Sequence, residues 1–239
     1  MKTAALCLLL CAVTIGTAAA SPQLALPGEA FHGDEVPARD GETWLALAVS
    51  DGKARLQSVK LEVTAVSDPL VDDPDDRSAR SVAAPGVEAL VFLRGIDALK
   101  PGDAGAVLAR EQTVSTERPL RLGSDAAAPQ ITVHCAKSAG QTEASSCEVS
   151  LDDGKTTQVL FRVAGERSEV DGRVFDGRVF DDAVATVTFA GDLDHDGRVD
   201  LVIDTSDHYN LSRPTLFLSG AAAPGLLVGR VAQQQLTGC

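Results

Sequence analysis

Apolar and polar positions alternate with a period of two through much of the chain after residue 42, which is the pattern of half-buried strands. Trp44-Leu45-Ala46-Leu47-Ala48-Val49 is followed by Ser50-Asp51-Gly52-Lys53. A longer stretch then follows in which Leu61, Val63 and Ala65 alternate with Lys60, Glu62 and Thr64. An apolar run, an Asp-Gly turn and a second run predict a β-hairpin. Ala89-Leu90-Val91-Phe92-Leu93 predicts a buried strand, stopped by Lys100-Pro101-Gly102-Asp103. Further strands are expected at Ile131–Val133, Glu148–Leu151, Gln158–Val163, Ala185–Phe189, Leu201–Ile203, Thr215–Leu218 and Leu226–Val231. Turn signals recur between them, and no stretch carries the 3.6-residue period and caps of an amphipathic helix. The expected fold is all-β, an antiparallel β-sandwich or two small β-units.

Other segments break this pattern. Residues 21–42 hold Pro22, Pro27 and Pro37 without periodicity and read as an extended N-terminal arm. Small residues from Gly123 to Pro129 are expected to divide a β-rich half, 43–122, from a second β-rich half, 123–239. The acidic stretch Asp68 to Asp76 contains Pro69 and Pro74 and reads as a loop. The pentapeptide Asp171–Phe175 is repeated as Asp176–Phe180. Two copies of five residues are too short for a solenoid, so an exposed turn that tolerates insertion is expected.

Residues 1–20 read as a signal peptide: Lys2, an apolar run from Ala4 to Gly16, and Ala18-Ala19-Ala20 before Ser21. The run falls short of the ~20 apolar residues of a membrane span, and no later stretch is long enough. A periplasmic or secreted protein is expected. The 239 residues include 34 acidic and 21 basic ones, for a net charge of −13. Loss of residues 1–20 makes the charge one unit more negative. Nucleic acid is thereby excluded as a partner, because phosphate binding needs a basic surface. An apolar content of 44% is enough for a buried core.

Export sets the reading of the cysteines. Cys7 and Cys11 leave with the signal, while Cys135, Cys147 and Cys239 remain. Cys135 ends one alternating stretch and Cys147 begins the next, across small and polar residues that read as a hairpin loop. The two are expected to face each other and, in an oxidising compartment, to form a disulfide; two buried thiols are the alternative. Cys239 is a free thiol or part of another pairing.

Asp192-Leu193-Asp194-His195-Asp196-Gly197-Arg198-Val199-Asp200 carries the clearest chemistry. Carboxylates stand at loop positions 1, 3, 5 and 9. Gly197 at position 6 allows a sharp turn, and the Arg198 carbonyl at position 7 can add an oxygen. Calcium takes 6–8 oxygen ligands at ~2.3–2.6 Å, which a loop of this kind can supply. An EF-hand requires Glu at position 12, where this chain has Ile203. The run Leu201-Val202-Ile203 leads into a strand, so Asp200 takes the place of the missing ligand. The alternative is an acidic turn without an ion, opposed by the mutual repulsion of its carboxylates.

The segment from Phe189 to Ile203 resembles the calcium loop of FG-GAP repeats, as in the integrin α-subunit propeller. One copy is present, covering about 15 residues, and about 40 (residues 185–220) with the Asp207-His208-Tyr209-Asn210 segment and the strand after it, so a whole propeller is not implied. The resemblance implies Asp192, Asp194, Asp196 and Asp200 as side-chain ligands, Arg198 as a backbone ligand, and one Ca2+. An Asp-x-Asp after a hydrophobic strand also resembles haloacid-dehalogenase phosphatases, but Asp196 and Gly197 depart from their pattern and helices are lacking.

Other residues carry weaker signals. Ser206-Asp207-His208 are triad types, but sequence neighbours on a strand face opposite ways. His134 is read as a hairpin surface residue, Asp72, Asp73, Asp75 and Asp76 as a solvated loop, and Trp44 and Tyr209 as core or rim. The function expected is an exported calcium-binding β-protein with a binding or structural role, its ion stabilising the fold. The alternatives are a periplasmic inhibitor or immunity-type partner of another exported protein, and a calcium-supported hydrolase.

Overall fold

A computed structural model of the protein describes residues 21–237, apart from 33–34, 51, 69–71, 74, 115–117, 136–144, 166–168, 171–172, 175–184 and 208–209. The signal segment, Cys239 and Tyr209 thus lie outside the described residues, as does most of the pentapeptide duplication. The protein is all-β, with antiparallel sheets and no α-helix among the described residues.

Four of the sheets stack as layers. Layer I joins Gly28–Phe31, Ala79–Ala83 and Glu62–Val66. Layer II runs in the order Gln23–Ala25, Ala89–Arg94, Thr43–Ser50, Lys53–Lys60 and Gly102–Asp103. Layer III runs Gly229–Gln233, Pro214–Leu218, Asp200–Asp204, Thr186–Gly191 and Gln112–Thr113. Layer IV runs Leu120–Arg121, Gln130–Cys135, Ser145–Asp152 and Thr157–Gly165.

A core fills each gap, and side-chain alternation assigns each residue to one of them. Between layers I and II lie Ala25, Trp44, Ala46, Phe92, Leu61 and Val82. Between layers II and III lie Leu24, Leu47, Leu56, Leu93, Phe189, Val202, Leu216 and Leu218. Between layers III and IV lie Val187, Leu201, Ile203, Phe217, Ile131, Val149 and Leu151. The register shift between Val187 and Phe189 lets Val187 and Ala190 face one gap while Phe189 faces the other.

The layering bears on three expectations. The hairpin of Thr43–Ser50 with Lys53–Lys60 forms with Ser50 opposite Lys53. The expected long second strand divides, however: it leaves layer II at Leu61 and enters layer I as Glu62–Val66. Leu61, 1% exposed, buries its side chain at the crossing. The arm 21–42 is extended but sheet-bound, since Leu24 pairs with Leu93 and Gly28 with Val82. Prolines at its flanks are compatible with short edge strands. The small-residue segment near Gly123 has strands of one sheet on either side. It is a turn within layer IV, closed by the Leu122 amide donating to Pro129 at 2.7 Å. Gln112–Thr113 of the first half pairs with Thr186–Gly191 of the second, so the middle core draws on both.

Cys135 and Cys147 pair across the layer IV hairpin at disulfide distance, twelve residues apart in sequence. The loop between them lies outside the described residues. His134 is exposed opposite Glu148, as a hairpin surface residue would be. Replacing both cysteines by serine is expected to lower stability by about 2–4 kcal/mol, the range for closing a loop of this length. Urea denaturation of the variant and of the reduced parent, which should coincide, provides the measurement.

Candidate metal centre

The acidic loop lies at one end of layer III. Gly191 pairs with Asp200, so residues 192–199 bulge from the end of a two-strand ladder. Two left-handed residues turn the chain back on itself: Gly197 at φ 80° and His195 at φ 61°. The turn at Gly197 was readable from sequence; the one at His195 was not, because histidine enters that region far less readily than glycine.

Three segments enclose the loop. The first is the loop itself, where the Asp192 carboxylate accepts the Asp196 and Gly197 amides, both at 3.0 Å. The second is the chain after Asp103, where the Asp192 amide donates to Ala104 at 3.0 Å. Gly105 and Gly191 permit that close approach: an added Cβ would lie 3.1 Å from the Asp192 Cβ in one case and 2.6 Å from the Ala104 carbonyl in the other. The third is the 3-10 turn Ser219–Ala221, which follows Pro214–Leu218 on the neighbouring strand.

Asp200 is the centre of this arrangement, wholly buried at 0% exposure. Its Oδ2 accepts the Leu193 amide at 2.7 Å and the Asp194 amide at 3.2 Å. Its Oδ1 accepts the Ser219 amide at 2.7 Å and the Ser219 hydroxyl at 2.9 Å. Burial pushes its pKa up to about 6, and the nearby Asp194 charge adds to the rise, against the hydrogen bonds from Ser219 and Leu193. A cation at this position would favour the ionised carboxylate.

One carboxylate oxygen each from Asp192, Asp194 and Asp200 fall within 4.8 Å of one another. Oxygens on opposite sides of a calcium ion stand about twice a ~2.4 Å bond apart, so the three fit one coordination shell. The donors are all oxygens, the set that hard cations select.

Asp196 and the Arg198 side chain stand at the rim of this cluster. Asp196 lies outside the three-oxygen cluster. Burial raises its pKa, but the Ser219 hydroxyl and the Arg198 guanidinium outweigh that and hold it below the ordinary value. Arg198 Nε reaches Asp196 Oδ2 at 2.9 Å, and its NH2 group reaches the Ser219 carbonyl, also at 2.9 Å. The Arg198 side chain thus binds the turn from outside the oxygen cluster.

Ser219 and Gly220 are the residues that sequence reasoning missed. The Ser219 hydroxyl lies 2.8 Å from Asp196 Oδ1 and 2.9 Å from Asp200 Oδ1, and the Gly220 amide donates to Asp194 Oδ2 at 3.1 Å. A Cβ on Gly220 would collide with that same Asp194 oxygen. The only sequence signal was a Ser-Gly pair ending a buried strand, which has many other causes.

The remaining candidates do not converge on a site. Asp72 accepts the amide and hydroxyl of Ser78, closing its loop locally. Ser206 donates its amide to Asp204, while His208 lies outside the described residues. Trp44 is 2% exposed and packs in the core.

Ser219→Ala is expected to cost about 1–3 kcal/mol, because the hydroxyl proton shared by buried Asp200 and the more exposed Asp196 is lost. Gly220→Ala should cost less, because the atom its Cβ would strike is the end of the Asp194 side chain, which can swing aside at the loss of its bond from the Gly220 amide. Both values are to be read from chemical denaturation in excess chelator, which separates the turn's own contribution from that of any ion.

No protein-family model matches the chain, and neither the curated proteins nor the solved structures contain a match to it.

Proposed function

We propose that the protein is an exported calcium-binding β-protein in which the ion stabilises the fold and supports a binding or structural role. The observation that carries this reading is the convergence of Asp192, Asp194 and Asp200 oxygens to within the span of one coordination shell. Two of these carboxylates also accept hydrogen bonds from a different strand's turn. An ion there would neutralise charge that burial disfavours and would tie the loop to Ser219–Ala221 and to Ala104.

Calcium suits the site better than magnesium. Magnesium demands near-ideal octahedral geometry and retains most of its waters. A loop that offers several carboxylates already oriented by backbone amides favours the larger, more adaptable ion. The resemblance of Phe189–Ile203 to an FG-GAP calcium loop supports the same assignment. The signal-like residues 1–20 and the Cys135–Cys147 pair support export.

Calcium at 100 times its dissociation constant should stabilise the protein by about 2.7 kcal/mol. The melting temperature is therefore expected to fall on adding EGTA and to return with calcium but not with equimolar magnesium. Asp194→Asn should abolish the calcium response. A melt indifferent to EGTA in the parent would overturn the reading.

A further inference from the structure

The N-terminal arm and the C-terminal segment grip each other through one buried side chain. Gln234 is 5% exposed and follows Gly229–Gln233, the edge strand of layer III. Its Oε1 accepts the Leu26 amide at 2.7 Å, and its Nε2 donates to the Glu35 carbonyl at 2.7 Å. One amide side chain thus serves backbone groups at both ends of the stretch from Leu26 to Glu35. Glu35 returns the contact: its Oε1 accepts the Thr237 amide at 2.6 Å, and its Oε2 accepts the His32 amide at 2.7 Å.

The arm's own ladder is short. Gln23–Ala25 has three partners on Ala89–Arg94 and forms an edge of layer II. Gly28–Phe31 has two register partners on Ala79–Ala83, separated by an irregularity. Strands this short are marginal without other support. Yet the arm places Leu24 in the middle core and Ala25 in the core between layers I and II, with exposures of 1% and 0%. Without Gln234, the half-buried Leu26 amide and Glu35 carbonyl lose these partners.

We infer that residues 23–32, with Glu35, act as a strap whose seat in the cores is locked by Gln234, near the far end of the chain, alongside the His32–Asp68 pair. The arm and the segment from Gln234 to Thr237 therefore lock each other. A chain lacking its C-terminal residues keeps its central sheets but leaves Leu24 and its slot uncovered. Opening of the strap is a local unfolding that leaves the central sheets paired.

The test is amide hydrogen exchange on the full chain with two variants that cut the clasp from opposite sides. Gln234→Met keeps the side-chain length and removes the amide, and Glu35→Ala removes the acceptor for His32 and Thr237. Each is expected to raise exchange at Leu24 to Phe31 by roughly ten- to a hundredfold, as expected when buried hydrogen bonds are lost. Exchange at Val202, Ile203 and Leu216 should stay at parental rates. Unchanged protection of the arm in both variants would overturn the inference. So would an equal rise in the arm and in the central sheet, which would make Gln234 and Glu35 ordinary contributors to global stability.

Discussion

Burial of layer III on both faces is the constraint on which the rest depends. Asp200–Asp204 and Pro214–Leu218 lie between two cores, and nearly every residue in them is buried. Such strands read as continuous apolar runs, and any polar group within them needs a full set of partners. Asp200 is the first residue of one of them and carries a carboxylate into that setting. Four hydrogen bonds, from Leu193, Asp194 and Ser219, are what make it tolerable. The loop preceding Asp200 and the turn following Leu218 are shaped around this one group.

The same constraint explains why the candidate metal centre draws on three segments. A buried carboxylate at a strand end collects donors from its own loop and from the adjacent strand's exit. Asp192 and Asp194 then stand beside it on the loop, and their combined negative charge creates a place for a cation. Arg198 answers part of that charge through Asp196, at the rim. Its pairing there is partly exposed and contributes little stability by itself, but it holds the loop against the Ser219 carbonyl. Specificity of shape comes from the glycines: Gly191 and Gly220 stand where a Cβ would strike a neighbour.

Layering also decides which other segments belong to the core. The arm has no hydrophobic period, yet Leu24 and Ala25 point into two different gaps because successive strand residues face opposite sides. A strand placed between two packed layers contributes to both with very few residues. Leu61 plays a comparable part, as the residue at which one continuous stretch leaves a sheet and enters the next. The partial charges of the clasp at Gln234 and Glu35 sit where these layers end.

The sequence by itself determined the local content: all-β structure from period-two alternation, hairpins from Asp-Gly turns, a Cys135–Cys147 pairing from flanking alternation, and an acidic loop from alternate aspartates around Gly197. Each of these is a matter of neighbouring residues, and neighbouring residues are what a sequence records directly. The tertiary structure alone decided the rest. It stacked four sheets, broke one expected strand at Leu61, placed the segment near Gly123 in a turn of one sheet, and paired the extended arm with two sheets. It also gathered Asp192, Asp194 and Asp200 while assigning Asp196 to Arg198, and it brought in Ser219 and Gly220 from the adjacent strand. These outcomes depend on which residues meet across a sheet or between sheets. That meeting is fixed by strand order and register, which no local pattern specifies.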